Sequence, residues 1–284
     1  MGADVVPISR RTGFDLRNPV DAFTAISREG ADVVVHLAAR VGGIIANMNA
    51  PGSFFYDNMQ MGMNVVHAAA MAGSRLLLVG TICSYPKDCP VPFKEEDLWN
   101  GFPEPTNAPY GIAKKALLVM CQAYRKEHGL HFGYVCPVNL YGPNDNFDDS
   151  TSHVIPALIK RFVKAKEQDQ KRVTCFGTGK ATRSFLYIED AAKAIALAVK
   201  DLDEDELINL PGCPETSISD LTRIIARYVG YEGSIAWDTS KPDGQPRRFV
   251  DGTRAEMLLG WEPATSLESG LRRTIEWYRS RSEE

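Results

Sequence analysis

The chain has 284 residues, of which 44% are hydrophobic and 24% are charged, and its formal net charge at pH 7 is -4. A chain of this size and apolar content can bury a sizeable core, which predicts one large domain or one domain with an appended lobe. The weak negative charge and the lack of long basic runs exclude a nucleic-acid surface, and no apolar stretch is as long as a membrane span.

The first half of the chain alternates apolar runs with amphipathic stretches. The near-continuous apolar run Ala31–Ala39 is typical of a strand covered on both faces. Strand–helix alternation predicts parallel strands with right-handed crossovers, and therefore a doubly wound, Rossmann-like α/β fold. The predicted strands are Asp4–Ile8, Ala31–Ala39, Arg75–Gly80 and His131–Cys136, and the predicted helices are Val20–Glu29, Pro51–Met71 and Tyr110–His128.

After Gly142 and Pro143 the pattern becomes less regular. We expect residues 1–145 to form the Rossmann-like domain and residues 146–284 to form mainly a smaller α+β lobe, with some segments returning to the sheet. Such a lobe would cover the carboxyl ends of the strands, where ligands of doubly wound folds bind. The predicted helices are 153–166, 189–202, 217–229 and 267–281, and the predicted strands are 173–176, 184–188 and 207–210.

Tyr110 and Lys114 are four residues apart and share one face of their predicted helix. A nearby ammonium makes a phenol a better proton donor to a carbonyl oxygen, and Thr81 offers that oxygen a second hydrogen bond. The same spacing is common on solvated helix faces. Its position downstream of a strand that ends in a hydroxyl and a thiol, Cys83, favours the catalytic interpretation.

The six cysteines are scattered, and none forms a Cys-x-x-Cys pair. This distribution favours reduced thiols in the cytoplasm over a disulfide framework or a zinc site. The five histidines show no metal-ligand spacing, and the N-terminus shows no signal-peptide pattern. We therefore predict a soluble cytoplasmic protein without a metal site and without a membrane partner.

Six segments resemble, in order and in spacing, one enzyme family. The chain is similar to the extended short-chain dehydrogenase/reductases, and most closely to the GDP-L-fucose synthases. The resemblance implies NADPH-dependent conversion of GDP-4-keto-6-deoxy-D-mannose to GDP-L-fucose, by epimerisation at C3 and C5 and then reduction at C4. It also implies a homodimer that pairs through the two long helices. The segments are His36–Ile44, Cys83–Lys87, Pro105–Lys114, Asn139–Phe147, Ser152–Leu158 and Lys241–Gly244.

The resemblance assigns the catalytic roles. Cys83 and His153 would exchange protons with C3 and C5 from opposite faces of the sugar, since a thiol and an imidazole both titrate near neutral pH. Tyr110 would protonate the C4 oxygen, and Lys114 would lower the pKa of Tyr110 and bind the nicotinamide ribose. Thr81 stands where the family usually has serine. The alternatives are a small buried apolar role for Cys83 and a locally hydrogen-bonded helix start for His153.

The resemblance also assigns binding residues. Arg161 and Arg183 would contact the GDP moiety, because guanidinium forks suit a diphosphate. Asn139 would hold the sugar nucleotide, and Lys241 and Asp243 lie in a loop expected to close over it, although a solvated turn is the alternative for that loop. The cofactor-binding residues would be Arg10 and Arg11 at a 2′-phosphate, which favours NADP over NAD, Asp15 and Leu16 at the adenine, and Tyr110, Lys114 and His153.

The chain departs from the family at its front. It contains no glycine-rich turn of the kind that receives the cofactor pyrophosphate, and Gly42–Gly43 opens no phosphate-type helix. We therefore expect an N-terminally truncated sequence. Two alternatives stay open: another nucleotide-sugar epimerase/reductase of the same family, and a cofactor-free sugar-nucleotide binding protein.

Overall fold

The computed structural model describes residues 4–201 and 207–282. The two longest helices contain proline in their first turn and end at glycines in the left-handed conformation, Gly73 and Gly129, a combination that fixes both boundaries. The helices are α1 (Pro19–Glu29), α2 (Ile44–Asn49), α3 (Pro51–Ala72), α4 (Ala108–His128), α5 (Val154–Glu167), α6 (Ile188–Asp201), α7 (Ile218–Val229), α8 (Thr253–Leu259) and α9 (Leu267–Ser282).

Four parallel strands form the central sheet, in the order β1-β2-β3-β8. Helices connect them, which confirms the predicted doubly wound α/β class. The smaller sheets pair β10 with β5, β4 with β7, and β6 with both β11 and β9. The strands are β1 (Val33–His36), β2 (Arg75–Val79), β3 (Phe132–Pro137), β4 (Asn139–Tyr141), β5 (Arg172–Phe176), β6 (Thr182–Arg183), β7 (Phe185–Tyr187), β8 (Leu207–Leu210), β9 (Thr216–Ser217), β10 (Ser234–Asp238) and β11 (Arg247–Arg248).

The buried apolar side chains form two clusters. The larger cluster surrounds the central sheet and includes residues of α3, α4, α6 and α8. The smaller cluster joins α5, α7 and α9 with strands β5 and β7. Residues of α6 and α8 belong to the larger cluster, so parts of the second half of the chain return to the central sheet.

The strand predicted at Asp4–Ile8 is wrong. These residues belong to no strand, and the side chains of Val5 and Val6 are 83% and 52% exposed. A strand needs a neighbour for its N–H and C=O groups, and none of the described strands pairs with this segment. β1 is the edge of the sheet, which also explains why Val33–Val35 are half-buried rather than covered on both faces as predicted.

The other predicted elements are present, with boundaries that differ by at most three residues. The sequence did not predict the short elements, which have only two to seven residues each and so show little periodicity. These are α2, α8, β4, β6, β9, β10 and β11. Leu202, the predicted end of the helix that begins at Ile188, lies outside the described residues.

His36 at the end of β1 is 3% exposed, and burial, assisted by the charge of Lys114, lowers its pKa to about 3. The folded state therefore keeps this ring neutral, whereas the unfolded chain protonates it near its ordinary pKa of 6.5. Because the folded pKa is the lower one, this contribution to stability is present above pH 6.5 and is lost as the pH falls towards 3.

We expect the free energy of unfolding of the native protein to fall between pH 7 and pH 5 by about 2 kcal/mol more than that of His36→Gln. Urea unfolding at the two pH values measures the difference. Equal losses in the two proteins would contradict the assignment of this pH dependence to His36.

Candidate active site

The turn after β2 and the first turn of α4 bring three predicted residues together. Thr81 caps the 3₁₀ turn Ile82–Ser84, and its Oγ1 accepts a hydrogen bond from the Cys83 amide at 3.2 Å. A second hydrogen bond joins the side chains of Thr81 and Tyr110. The half-buried thiol of Cys83 lies close enough to affect the ionisation of Tyr110. A hydroxyl, a thiol and a phenol thus face one small region.

Gly111 explains how the two elements approach so closely. A Cβ at this position would lie 2.2 Å from the carbonyl oxygen of Cys83 and 2.8 Å from its carbonyl carbon. The Ser84 hydroxyl also donates to the Gly111 carbonyl at 2.9 Å. The backbone of α4 therefore rests directly on the turn that carries the thiol, which fixes Tyr110 relative to Cys83.

The protonation of Tyr110 differs from the prediction. Its pKa is raised above the ordinary value, mainly by burial and then by the neighbouring Cys83, while the hydrogen bond with Thr81 acts in the opposite direction. The predicted lowering by Lys114 is not observed, because the Lys114 Nζ donates to the Val79 carbonyl at 3.0 Å and burial of the phenol dominates. Burial also lowers the pKa of Lys114 to about 8. Tyr110 is therefore held in the protonated form, which is the form that can deliver a proton.

His153 lies on a different element, at the N-cap of α5. Solvent reaches its ring, yet protein surrounds the ring on most sides, and this desolvation lowers its pKa. The loop after β1 sets the neighbouring backbone: the Gly43 amide donates to the Thr151 carbonyl at 3.0 Å, and a Cβ at Gly43 would lie 2.7 Å from the Ser152 carbonyl oxygen. Gly42–Gly43 thus positions the segment that carries His153, a role that the sequence did not reveal.

Ile44, which follows Gly43, lies close to Gly244 in a second loop that approaches a buried arginine. A Cβ at Gly244 would lie 2.9 Å from Ile44 Cδ1 and 3.5 Å from Arg183 Nη2. Arg183 is 8% exposed, and burial, together with the charge of Arg248, lowers its pKa to about 10. Within the described residues, no hydrogen bond joins the His153 ring to Cys83 or Tyr110, and His153 lies on a different element from both.

Arg248 is a site residue that the sequence analysis missed. It is paired in register with Arg183 across β11 and β6, it is buried, and its Nη1 donates to Cys83 Sγ at 3.3 Å. In the sequence it belongs to an Arg247–Arg248 pair beside prolines, a pattern typical of a solvated loop. Only the fold brings it to a thiol 165 positions away.

Two predicted binding residues lie close to an exposed aromatic ring, Phe176 at the end of β5. The guanidinium of Arg161 lies 4.8 Å from the ring centroid, and the ammonium of Lys241 lies 6.0 Å from it. Phe176 is 50% exposed, so its ring is accessible from solvent. An exposed apolar ring with two cations nearby suits a planar base with attached phosphates. The sequence analysis missed Phe176, because it assigned this residue only to a strand.

The remaining predicted substrate residues already have protein partners. The carboxylate of Asp243 accepts hydrogen bonds from the Thr178 amide and hydroxyl, both at 2.7 Å, and its carbonyl accepts from Arg183 Nη2 at 3.4 Å. Asn139 Nδ2 donates to the Ser184 carbonyl at 3.0 Å. Asp243 thus contacts both the loop that follows Phe176 and the side chain of Arg183. Asn139 forms a hydrogen bond between β4 and the residue that precedes β7.

The predicted adenine and 2′-phosphate residues lie near the N-terminus. Arg10 and Arg11 form an exposed 3₁₀ turn, and neither has an ion-pair partner in the described part of the chain. The Asp15 carboxylate pairs with Arg17 at 2.5 Å, and the hydrogen bonds of that pair lower its pKa to about 2. Leu16 packs against the larger core. The two free guanidiniums fit an added phosphate, while Asp15 and Leu16 serve the local fold.

Residues 4–201 and 207–282 contain no cluster of three or more His, Cys, Asp or Glu side chains that is arranged to hold a metal. None of the helices in these ranges has both the length and the apolar character that crossing a membrane requires. All six cysteines lie in these ranges, and all are free thiols.

Known proteins resemble this chain in sequence and in fold. Residues 2–210 match the NAD dependent epimerase/dehydratase family. The GDP-L-fucose synthase of Sinorhizobium fredii (strain NBRC 101917 / NGR234) is 42% identical over 276 residues, which cover 97% of this chain and 88% of that protein. A GDP-L-fucose synthetase from Naegleria fowleri bound to NADP superposes with a TM-score of 0.86 and 30% identity, covering 95% of this chain and 83% of that one. A GDP-6-OMe-4-keto-L-xylo-heptose reductase from C. jejuni gives a TM-score of 0.90 and 26% identity, covering 98% and 91%.

Proposed function

The chain belongs to the NAD dependent epimerase/dehydratase family, and from this premise we propose that it converts GDP-4-keto-6-deoxy-D-mannose to GDP-L-fucose with NADPH. The proposed reaction inverts C3 and C5 and then reduces the C4 ketone. The observation that carries the proposal is the convergence of Thr81, Cys83 and Tyr110 on one region, because a plain reductase needs the phenol but has no use for the thiol beside it.

Epimerisation uses the thiol and the imidazole. The C4 ketone acidifies the protons on C3 and C5, and inversion requires removal of a proton from one face and its return to the other. Cys83 and His153 exchange these protons, while Tyr110 and Thr81 donate hydrogen bonds to the C4 oxygen as negative charge develops on it. The raised pKa of Tyr110 suits this role, since it keeps the phenol a donor throughout.

Reduction uses the same donors. NADPH, when bound, supplies the hydride to C4. Tyr110 gives its proton to the alkoxide oxygen, and Lys114, whose pKa of about 8 leaves it able to change its charge, supports that transfer and holds the nicotinamide ribose. Arg10 and Arg11 suit the 2′-phosphate because neither guanidinium is paired in the described structure.

The second lobe binds the GDP moiety. Phe176 stacks with the base, and Arg161 and Lys241 lie beside the phosphates. Arg183, Asp243 and Asn139 contact the part of the substrate that extends from the phosphates towards Cys83. This assignment divides the molecule into a cofactor domain, residues 1–145, and a mainly substrate-binding lobe, residues 146–284. The two separate apolar clusters support that division.

We also propose a homodimer that works in the cytoplasm. Apolar side chains on the outer surfaces of α3 and α4 are exposed in the monomer, among them Phe55, Tyr56, Met71 and Val119. These two helices pack against each other, so their outer faces form one surface that a second copy can cover. The six free thiols suit a reducing compartment.

A cofactor-free sugar-nucleotide binding protein is the alternative to this enzyme. Equilibrium titration of the chain with GDP, with GDP-mannose and with NADPH separates the two candidates. Binding of all three supports the enzyme, whereas GDP-sugar binding without NADPH binding supports the second candidate.

A substrate with a heptose in place of the deoxyhexose is the variant of the first candidate that the C. jejuni heptose reductase suggests.

Replacing the thiol tests the two-step reaction. Cys83→Ser is expected to lower the rate of deuterium incorporation from D₂O into C3 and C5 by about 100-fold or more, because a hydroxyl is far less acidic than a thiol. Direct reduction of the unepimerised ketone should continue, which mass spectrometry and NMR of the product would reveal. Cys89→Ser is the control, since this thiol is buried away from Tyr110. Unchanged incorporation in Cys83→Ser would refute the role of the thiol.

A further inference from the structure

Two guanidiniums lie buried side by side next to Cys83. Arg183 and Arg248 are 8% and 6% exposed and are partners in the β6–β11 register. Neither forms an ion pair with a carboxylate in the described part of the chain. The carboxylates of Asp243 and Glu104 act on Arg183 only from beyond ion-pair distance. Two adjacent buried positive charges without a contacting carboxylate are costly, so an arrangement of this kind is expected where a negative charge arises during function.

Arg248 is the member of the pair that touches the thiol. Its Nη1 donates to Cys83 Sγ at 3.3 Å, and its Nε donates to the Gln245 side-chain oxygen at 2.9 Å. Gln245 in turn donates to the Lys87 carbonyl at 2.7 Å. Lys87 belongs to the same loop as Cys83, so hydrogen bonds through Gln245 hold the Arg248 guanidinium next to the segment that carries the sulfur.

The other ionisable groups that act on Cys83 are Arg183, Tyr110 and Cys136. Burial raises the pKa of the Tyr110 phenol and of the Cys136 thiol above their ordinary values, so both are neutral at pH 7. The two guanidiniums are therefore the charges that act on this sulfur among the described residues, and Arg248 is the one in contact.

We propose that Arg248 is a positioning residue that stabilises the thiolate of Cys83 and aims its sulfur during epimerisation. This inference rests on the proposed function. Each inversion passes through a thiolate, either before Sγ takes a proton from carbon or after Sγ gives one up. When Sγ takes the proton, the C–H electron pair moves into the enolate, the C4 oxygen carries the charge, and the thiolate becomes a neutral thiol. The hydrogen bond from Arg248 favours the charged form of the sulfur in either direction.

Alkylation of Cys83 by iodoacetamide tests this without substrate or cofactor. Cys83 is half-buried whereas the other five cysteines are buried, so mass spectrometry can follow this one site. We expect Arg248→Gln to shift the midpoint of the pH–rate profile upward by about one pH unit and to slow alkylation at pH 7 by about tenfold. Arg248→Lys should restore most of the rate, because it keeps a positive charge near the sulfur.

Arg247→Gln is the matched control. It removes the same charge from the neighbouring position, but Arg247 is exposed and pairs with Glu215, so the profile should not move. Alkylation of all six cysteines would reveal an unfolded variant. If Arg248→Gln does not fold, Arg248→Met decides: an upward shift of about one pH unit in the folded variant supports the proposal, and an unshifted midpoint contradicts it.

A profile for folded Arg248→Gln that matches the native profile would overturn the proposal. Deuterium incorporation at C3 and C5 of the GDP-sugar is measured separately in the same variants, and we expect Arg248→Gln to slow it by about tenfold. If the native protein exchanges no deuterium at all, the proposed function fails, while the alkylation profile still decides whether Arg248 acts on Cys83.

Discussion

Tyr110→Phe is expected to lower the rate of ketone reduction by about 100- to 10,000-fold, which is the range for loss of a positioned general acid. Removal of the phenolic oxygen leaves the C4 oxygen without its proton donor and leaves Thr81 as the remaining hydroxyl. Deuterium incorporation at C3 and C5 should fall as well, though by less, because Tyr110 assists the enolate without itself moving the carbon-bound proton. Oxidation of NADPH, followed by its absorbance, and deuterium incorporation measure the two effects.

Tyr124→Phe is the control on the same helix. Its hydroxyl lies 3.2 Å from His67 Nδ1 and is far along α4 from the site, so its loss should leave both rates unchanged. Thermal unfolding of Tyr110→Phe should match that of the native protein within a few degrees, since one partly buried hydroxyl is removed and the ring stays. Near-normal reduction by a folded Tyr110→Phe would show that another group is the acid.

The spacing of Tyr110 and Lys114 and the order of the motifs were enough to predict the proximity of Thr81, Cys83 and Tyr110. Parallel strands end at one edge of a sheet, so a hydroxyl and a thiol after β2 and a phenol at the start of the next helix must lie close together. The direction of the Tyr110 pKa shift was not predictable. It depends on how much protein covers the phenol and on where the Lys114 ammonium points, and neither can be read from a spacing of four residues.

Arg248 and Phe176 were missed for a related reason. Each looks ordinary in its local sequence, and each acquires its role from residues far away in the chain: Cys83 for Arg248, and Lys241 for Phe176. The strand prediction at Asp4–Ile8 was wrong for the opposite reason. Its local pattern is that of a strand, but a strand exists only with a partner, and the described sheet provides none for it.

Gly111→Ala is expected to lower both reduction and epimerisation by about 100-fold, although it touches no substrate. The added Cβ would lie 2.2 Å from the Cys83 carbonyl oxygen, which is backbone and cannot rotate away, so α4 and the thiol-bearing turn must separate by roughly 1 Å. A displacement of that size moves Tyr110 and Cys83 apart and weakens the hydrogen bond from Ser84 to Gly111.

Gly52→Ala gives this prediction its matched control, because Gly52 is also helical and its added Cβ would meet nothing within 4 Å. Alanine favours helix over glycine by up to about 1 kcal/mol, so Gly52→Ala should be as stable as the native protein or more stable, with both activities intact. If Gly111→Ala folds and keeps both rates, the close contact between α4 and the Cys83 turn does not set the geometry of the site. A loss confined to epimerisation would show that the added Cβ displaces Cys83 but not Tyr110, because Tyr110 serves both reactions whereas Cys83 serves only the epimerisation.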